Sequence, residues 1–169
     1  YSLIKVLECI FLFLYSVKVI QKKGNIKAIL LCLSLAIVFE VILAILQIKQ
    51  QASLGGIAYF FGERFFTSDS PGIANASIGN TLYLRPYATF PHPNVLAGFL
   101  LITQLILLGL LRLANEKIKK ITLPAVIFAG LGIALSLSRV VIILEIALFL
   151  FYRHKSFRRA VYTHKISSK

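Results

Sequence analysis

Acidic and charged residues are scarce in this chain of 169 residues. Six are Asp or Glu against 19 Lys or Arg, 15% are charged and 58% are hydrophobic, and the mean hydropathy is +0.83. A soluble domain of this size needs more polar surface to cover its core, so the composition favours a bilayer as solvent. The alternation typical of membrane β-barrels is also lacking, which leaves helices as the membrane-crossing elements.

Other signals are missing as well. We find no cleavable signal peptide, no internal repeat and no inverted symmetry of the transporter kind. The first residue is Tyr1, inside an apolar stretch, so we expect the chain to be a fragment of a longer protein. The two cysteines, Cys9 and Cys32, stand in hydrophobic runs and are interpreted as small apolar residues.

The net charge of +13 raises nucleic acid as a partner. The cations, however, cluster just beyond the ends of hydrophobic runs, where the positive-inside rule expects them. We therefore predict a lipid bilayer as partner and no nucleic acid.

The hydrophobic runs predict an all-α fold, a polytopic transmembrane bundle of about five helices in a single membrane domain over 1–169. A span needs ~20 apolar residues at ~1.5 Å rise each. The outer loop is rich in Gly, Ser, Asn and Pro and is predicted to be irregular. The basic tail either lies along the inner leaflet or is disordered. The predicted ranges are helices at 3–20, 28–48, 94–113, 121–137 and 139–152, the outer loop at 49–93 and the cytoplasmic tail at 153–169.

The apolar run 121–152 is too long for one span, because a single helix of that length would reach about 48 Å. A break near Ser136–Arg139 gives a helical hairpin instead. Fourteen cations then share one membrane face: four in 18–27, four in 112–120 and six from 153 onward; the other five share the opposite face. The positive-inside rule places the larger group in the cytoplasm, with the N-terminus outside and the C-terminus inside.

Acidic residues within predicted spans usually face protein or water. Glu40 shares one side of its helix, roughly, with Gln47 and Gln51. This polar stripe either joins an interhelical hydrogen-bond network or lines a polar cavity.

The end of the outer loop carries the candidate site. Three prolines in eight residues stiffen the segment 84–94 just before the third long helix. Arg85 offers a planar donor fork suited to phosphate oxygens. His92 is either a general base or simply solvated. Asn94 is either an N-cap or part of a helix N-terminus that favours an anion.

Further arginines stand on the same predicted face. Arg139 follows Ser136 and Ser138 at the predicted hairpin. It either snorkels to solvent or shares an anion site with the loop arginines, Arg85 and Arg64.

These segments resemble a known family. The run Arg-Pro-Tyr-Ala-Thr-Phe-Pro-His-Pro-Asn-Val-Leu-Ala-Gly at 85–98 resembles the R-x-x-G-T-F-x-H/N-P-N-x-L-A segment of bacterial O-antigen ligase and polysaccharide polymerase membrane proteins. Ser-Leu-Ser-Arg at 136–139 is similar to that family's T/S-x-S-R signature, and the match covers roughly 36–152. Ala88 stands where the family usually has Gly. The family's second, larger outer loop, with a further Arg and a His base, has no counterpart here, so the resemblance implies an N-terminal or central part.

The resemblance implies a metal-independent, cofactor-free membrane glycosyltransferase of the bacterial inner membrane, active in cell-envelope and lipopolysaccharide biogenesis. It would transfer a glycan from undecaprenyl diphosphate to an acceptor sugar of a glycan or glycolipid on the outer face. The implied residues are Arg85, Arg139 and Arg64 on the diphosphate, His92 as candidate base, and Asn94, Glu40, Gln47 and Ser138 shaping the site. Ligase and polymerase are not distinguished, and the catalytic base can lie outside this chain.

Two other classes stay open. A transporter or flippase subunit for a lipid-linked polymer would use Glu40 and the outer arginines in a cavity, and broken helices in both halves would favour it; the sequence shows a single break. A non-catalytic membrane scaffold would tolerate substitution of Arg85 and Arg139.

Overall fold

The computed structural model describes residues 7, 10, 11, 14, 15, 18, 23–111 and 114–150, and these are mostly helical. The elements are α1 (Lys23–Gln50), α2 (Ile57–Phe60), β1 (Asn75–Ile78), β2 (Thr81–Leu84), α3 (Pro93–Leu110), α4 (Glu116–Leu135) and a further helix, α5, at 139–150. The six separate positions before α1 are helical. The remainder of the predicted helix 3–20 and the predicted tail 153–169 lie outside the described residues.

Three of these helices are long and apolar enough to cross a membrane: Asn25–Gln50, Pro93–Leu110 and Glu116–Leu135. Their ends follow familiar capping chemistry. Asn115 caps α4 by accepting a hydrogen bond from the Ile118 N–H at 3.1 Å. This composition and these lengths indicate a membrane-associated protein.

Close packing of the three long helices centres on Gly132 of α4. A Cβ atom at this position would lie 2.6 Å from both Val41 Cγ2 on α1 and Leu100 Cδ1 on α3. Gly132 therefore lets α4 approach both partners, as small residues do between membrane helices. The opposite face of α1 is apolar but exposed, with Leu35 and Phe39 on it, which is the pattern expected of a helix surface solvated by lipid.

The outer loop is more ordered than its composition predicts. It contains α2 and an antiparallel hairpin in which Asn75 pairs with Leu84 and Ile78 with Thr81. Gly79 adopts a φ of 64° in the two-residue turn. Most of 49–93 is irregular, as predicted, and these short elements are the exception: strands of four residues are too short to show alternation beside so many Gly, Ser and Asn residues.

The apolar run 121–152 is interrupted at 136–138. α4 ends at Leu135, Leu137 has a φ of 52°, and α5 begins at 139. Ser136 compensates for the lost helical bonds: its Oγ donates to the Ile133 carbonyl at 2.6 Å and accepts from the Ser138 N–H at 3.2 Å. The C-terminus of α4 and the N-terminus of α5 consequently meet at one end of the bundle.

Candidate functional site

Arg85 and Arg139 line one open cleft of about 820 Å³, which we call the arginine cleft. It lies at the end of the bundle where α3 and α5 begin. Residues distant in sequence thus share one surface. The other lining residues are Asn75, Ala76, Ser77, Asn94, Leu137, Ser138, Val140, Val141 and Ile142.

Arg85 is the more buried of the two arginines and is held by neutral acceptors. Its Nε donates to the Ser136 carbonyl at 2.9 Å and its Nη2 donates to Asn94 Oδ1 at 2.7 Å. Burial lowers the pKa of the Arg85 guanidinium, and Tyr87 offsets part of that shift. The side chain still stays protonated. Within the described ranges no carboxylate pairs with it, so its positive charge is left for another partner.

Arg139 opens α5 and is exposed. Its neighbour Ser138 is buried, lines the cleft, and accepts the Ile142 N–H through its carbonyl at 2.9 Å. The first N–H groups of a helix have no acceptor inside it and carry the positive end of its dipole. The start of α5 therefore adds to the positive potential of the arginine cleft.

His92 and Asn94 occupy the start of α3. His92 is the N-cap, and its Nδ1 accepts the Asn94 N–H at 3.1 Å. The N-cap alternative for Asn94 was therefore wrong: Asn94 is the second residue of the helix and its side chain accepts from Arg85. Because Nδ1 of His92 accepts a hydrogen bond, the ring hydrogen of neutral His92 lies on Nε2. His92 can take up a proton only by releasing the helix cap.

Arg64 stands apart from the other two arginines. It is exposed, and its Nη1 donates to the Pro91 carbonyl at 3.3 Å. It is absent from the described lining of the arginine cleft. Arg64 ties the segment after α2 to the proline-rich segment, and the structure does not bring it together with Arg85 and Arg139.

Side chains of the polar stripe of α1 form hydrogen bonds with the backbone of the outer loop. Glu40 accepts from the N–H and the hydroxyl of Thr89 at 3.2 and 2.7 Å. Gln47 is fully buried, and its Oε1 accepts the N–H groups of Tyr87 and Ala88 at 3.0 and 2.7 Å. Its Nε2 donates to the Ala88 carbonyl at 3.1 Å. These residues are a network that orders the segment before α3, and they do not line the arginine cleft.

Glu63 completes this network, and the sequence analysis missed it. It is buried, and its carboxylate accepts from Gln47 Nε2 at 2.7 Å and from the N–H groups of Leu54 and Gly55, both at 2.8 Å. An acidic residue in a polar loop is usually exposed to solvent, so its sequence context did not predict burial. The one feature that could have indicated a structural role is its position between a glycine and an arginine, directly after an aromatic run. We call Glu40, Gln47 and Glu63 the polar clasp.

A second cavity lies between α3, α4 and α5. Its volume is about 600 Å³, its walls are mostly apolar, and Glu145 and Gln104 face it. Gln104 Nε2 donates to Glu145 Oε1 and to the Val126 carbonyl, both at 3.2 Å. Glu145 thus has an amide partner on α3. The sequence placed both residues in spans but gave no indication that they meet.

The fold and site together define a helical, membrane-associated protein with a cationic cleft at one end of its long helices. The described residues contain no group of three or more His, Cys, Asp or Glu side chains able to hold a metal ion. No family model, curated protein or solved structure matches the chain.

Proposed function

We propose that this chain is part of a membrane glycan ligase or polysaccharide polymerase whose arginine cleft binds the diphosphate of a lipid-linked glycan. One observation carries the proposal. Arg85 is partly buried, is held by two neutral acceptors, and lines the same cleft as Arg139. A fixed cation without a carboxylate partner is suited to an anionic ligand.

The number of free donors in the cleft supports a ligand with several anionic oxygens, such as a diphosphate. Two guanidinium groups carry more donors than Arg85 spends on Ser136 and Asn94, and the start of α5 adds backbone N–H groups. A diphosphate offers several oxygens and more than one negative charge.

The proposed placement in the membrane follows from charge. Five spans put the arginine cleft on the outer face of a bacterial inner membrane, with the N-terminus outside and the basic tail inside. The start of α4 then faces the cytoplasm with Lys117, Lys119 and Lys120. A lipid-linked diphosphate in the outer leaflet has its headgroup at the level of the cleft.

The proposed chemistry is glycan transfer to a sugar hydroxyl of the acceptor. The acceptor oxygen forms a bond to the anomeric carbon, the bond from that carbon to the diphosphate breaks, and the carrier diphosphate leaves. Arg85 and Arg139 stabilise the charge that develops on the leaving group. A base takes the acceptor proton, and His92 can serve only with loss of its hydrogen bond to Asn94. A base from elsewhere in the protein is therefore favoured.

Arg139 gives the sharper test because no hydrogen bond of the described residues depends on its side chain, whereas Arg85 also supports Ser136 and Asn94. In the full-length protein, Arg139→Ala should remove surface glycan attachment or extension at unchanged membrane insertion. Arg139→Lys should retain part of the activity, since it keeps the charge without the planar fork. Arg64→Ala is the matched control and should leave the glycan profile unchanged. Normal glycan profiles in both Arg139→Ala and Arg85→Ala would defeat the enzyme proposal and favour a scaffold.

A transporter or flippase subunit remains the second candidate, favoured by the cavity that Glu145 and Gln104 face. An ionisable group at membrane depth commonly marks a transport pathway. The two classes separate in vesicles that contain the purified full-length protein. Movement of a lipid-linked glycan between leaflets without glycan transfer supports transport, whereas transfer to an added acceptor supports the enzyme.

A further inference from the structure

The outer loop carries an apolar surface that the proposed site does not use. Four aromatic residues and one isoleucine, which we call the aromatic patch, protrude on α2 and just after it. Phe60 is 86% exposed and Phe65 is 84% exposed. Large exposed apolar side chains grouped in one short segment often mark a binding surface. The aromatic patch consists of Ile57, Tyr59, Phe60, Phe61 and Phe65.

Phe61 of the aromatic patch lies against α1, away from the end of the helices that carries the arginine cleft. The rings of Phe61 and Phe39 lie 5.5 Å apart. Phe39 is eleven residues before the end of α1 at Gln50, which corresponds to about 16 Å along the helix axis. The loop therefore leaves α1, turns, and descends beside it.

The packing of the long helices gives the depth of this contact. Gly132, Val41 and Leu100 lie at one level, because a Cβ on Gly132 would meet the other two side chains. α4 ends three residues after Gly132, at the end of the helices that carries the arginine cleft. Phe39 lies two residues before Val41 in α1 and is therefore farther from that end. The Phe61 ring thus contacts α1 at a level roughly 7 Å below the outer end of α4. That level lies inside the span of α4.

The patch continues a surface of α1 that is already apolar and exposed. Leu35, Phe39, Ile42 and Leu46 are exposed on one helical face, and Phe61 packs on the second of them. If α1 crosses the bilayer, this face is solvated by lipid, and the patch lies on its outer part. Arg64, directly before Phe65, is exposed, which suits the phosphates of lipid headgroups.

We infer that the aromatic patch inserts into the outer leaflet of the bilayer and holds the outer loop against the membrane surface. Phe60 and Phe61 lie among the upper acyl chains, and Tyr59 lies at the polar boundary, where its ring and hydroxyl are both satisfied. The polar clasp sets this position, because Glu63 binds the N–H groups of Leu54 and Gly55 at the start of the descent. The inference rests on the membrane placement proposed above.

The chain contains no tryptophan, so a single introduced one reports its own surroundings. Three variants of the full-length protein should be compared in phosphatidylcholine–phosphatidylglycerol vesicles, with bromine atoms placed at different depths of the acyl chains and any native tryptophan outside residues 1–169 replaced by phenylalanine. Phe60→Trp tests the patch. Ile102→Trp, on the exposed face of α3 nine residues from its start, is the control for membrane insertion, and Leu82→Trp, exposed on β2, is the control for water.

We expect Phe60→Trp to emit at shorter wavelength than Leu82→Trp and to lose intensity with bromine near the headgroups. Ile102→Trp should lose intensity with deeper bromine. Water-like, unquenched emission from Phe60→Trp beside a quenched Ile102→Trp would overturn the inference and leave the membrane placement standing. Blue-shifted but unquenched emission from Phe60→Trp would overturn it in favour of a protein contact. An unquenched Ile102→Trp would remove both the membrane placement and the inference.

Discussion

At the scale of single residues, the site depends on backbone conformations that side chains normally avoid. Among the residues that the structure describes, three other than glycine have a φ near +50°: Gln51 just after α1, Ala88 in the segment held by the polar clasp, and Leu137 between α4 and α5. Each stands where the chain changes direction beside the candidate site. The left-handed conformation costs an L-residue about 1–2 kcal/mol, so the surrounding hydrogen bonds must hold it in place.

Ala88 allows this strain to be tested. Ala88→Gly relieves about 1–2 kcal/mol of left-handed strain. It also loses a buried methyl, about 0.8 kcal/mol, and adds about 0.5–1 kcal/mol of backbone entropy cost. We expect the relief of strain and the two losses to cancel, so that the free energy of unfolding changes by less than about 1 kcal/mol. Ala88→Val keeps the apolar character but places a β-branched residue at a φ of 48° and should destabilise by about 2 kcal/mol or more.

Thermal unfolding of the detergent-solubilised protein measures both changes. A stable Ala88→Val variant would show that the positive φ is not required.

At the scale of elements, the hydrogen bonds of the polar clasp hold the outer loop in one conformation. Gln47→Ala removes the acceptor for two backbone N–H groups, the donor for the Ala88 carbonyl, and one donor to Glu63. Each buried polar group left unpaired costs about 1–3 kcal/mol, so we expect a loss of at least about 3 kcal/mol. Hydrogen exchange should also become faster in the segment 85–90.

Gln51→Ala, at the residue that follows α1, is the matched control. The Gln51 side chain accepts the Leu84 N–H at 2.8 Å and donates to the Ile48 carbonyl at 2.5 Å, at a site that water can reach. We expect a cost of about 1 kcal/mol and slow exchange retained in 85–90. Equal effects of the two variants would mean that the clasp does not order the loop.

The elements also show what sequence can predict. Long apolar runs and a length limit were enough to place α1, α3, the interruption at 136–138 and the helices on either side of it. The hairpin and the role of Glu63 depend on contacts over many residues, such as Gln47 with Ala88, which leave no local periodicity. The prediction of site residues has the same limit. Arg85 and Arg139 line one cleft, whereas Arg64 was grouped with them only because of its charge and predicted membrane face.

At the scale of the whole molecule, alternating helix directions gather the functional groups at one end. α1 and α4 end there, and α3 and α5 begin there, as the bonds from Arg85 to Ser136 and Asn94 show. The opposite end carries the turn between α3 and α4. The helices α3 and α4 contain 18 and 20 residues, or about 27 and 30 Å, which matches the hydrocarbon thickness of about 30 Å. The two ends should therefore lie on opposite sides of the membrane.

Cysteine labelling tests this arrangement in spheroplasts. In a full-length variant with Cys9, Cys32 and any cysteine outside residues 1–169 replaced by serine, Asn80→Cys marks the hairpin turn and Lys117→Cys marks the first turn of α4. Both positions are exposed, so accessibility depends on the membrane and not on the fold. A membrane-impermeant maleimide should label Asn80→Cys directly and Lys117→Cys only after the membrane is opened. Direct labelling of both would mean that α3 and α4 do not cross. Labelling of Lys117→Cys alone would invert the protein and place the arginine cleft in the cytoplasm, where a donor in the outer leaflet cannot reach it.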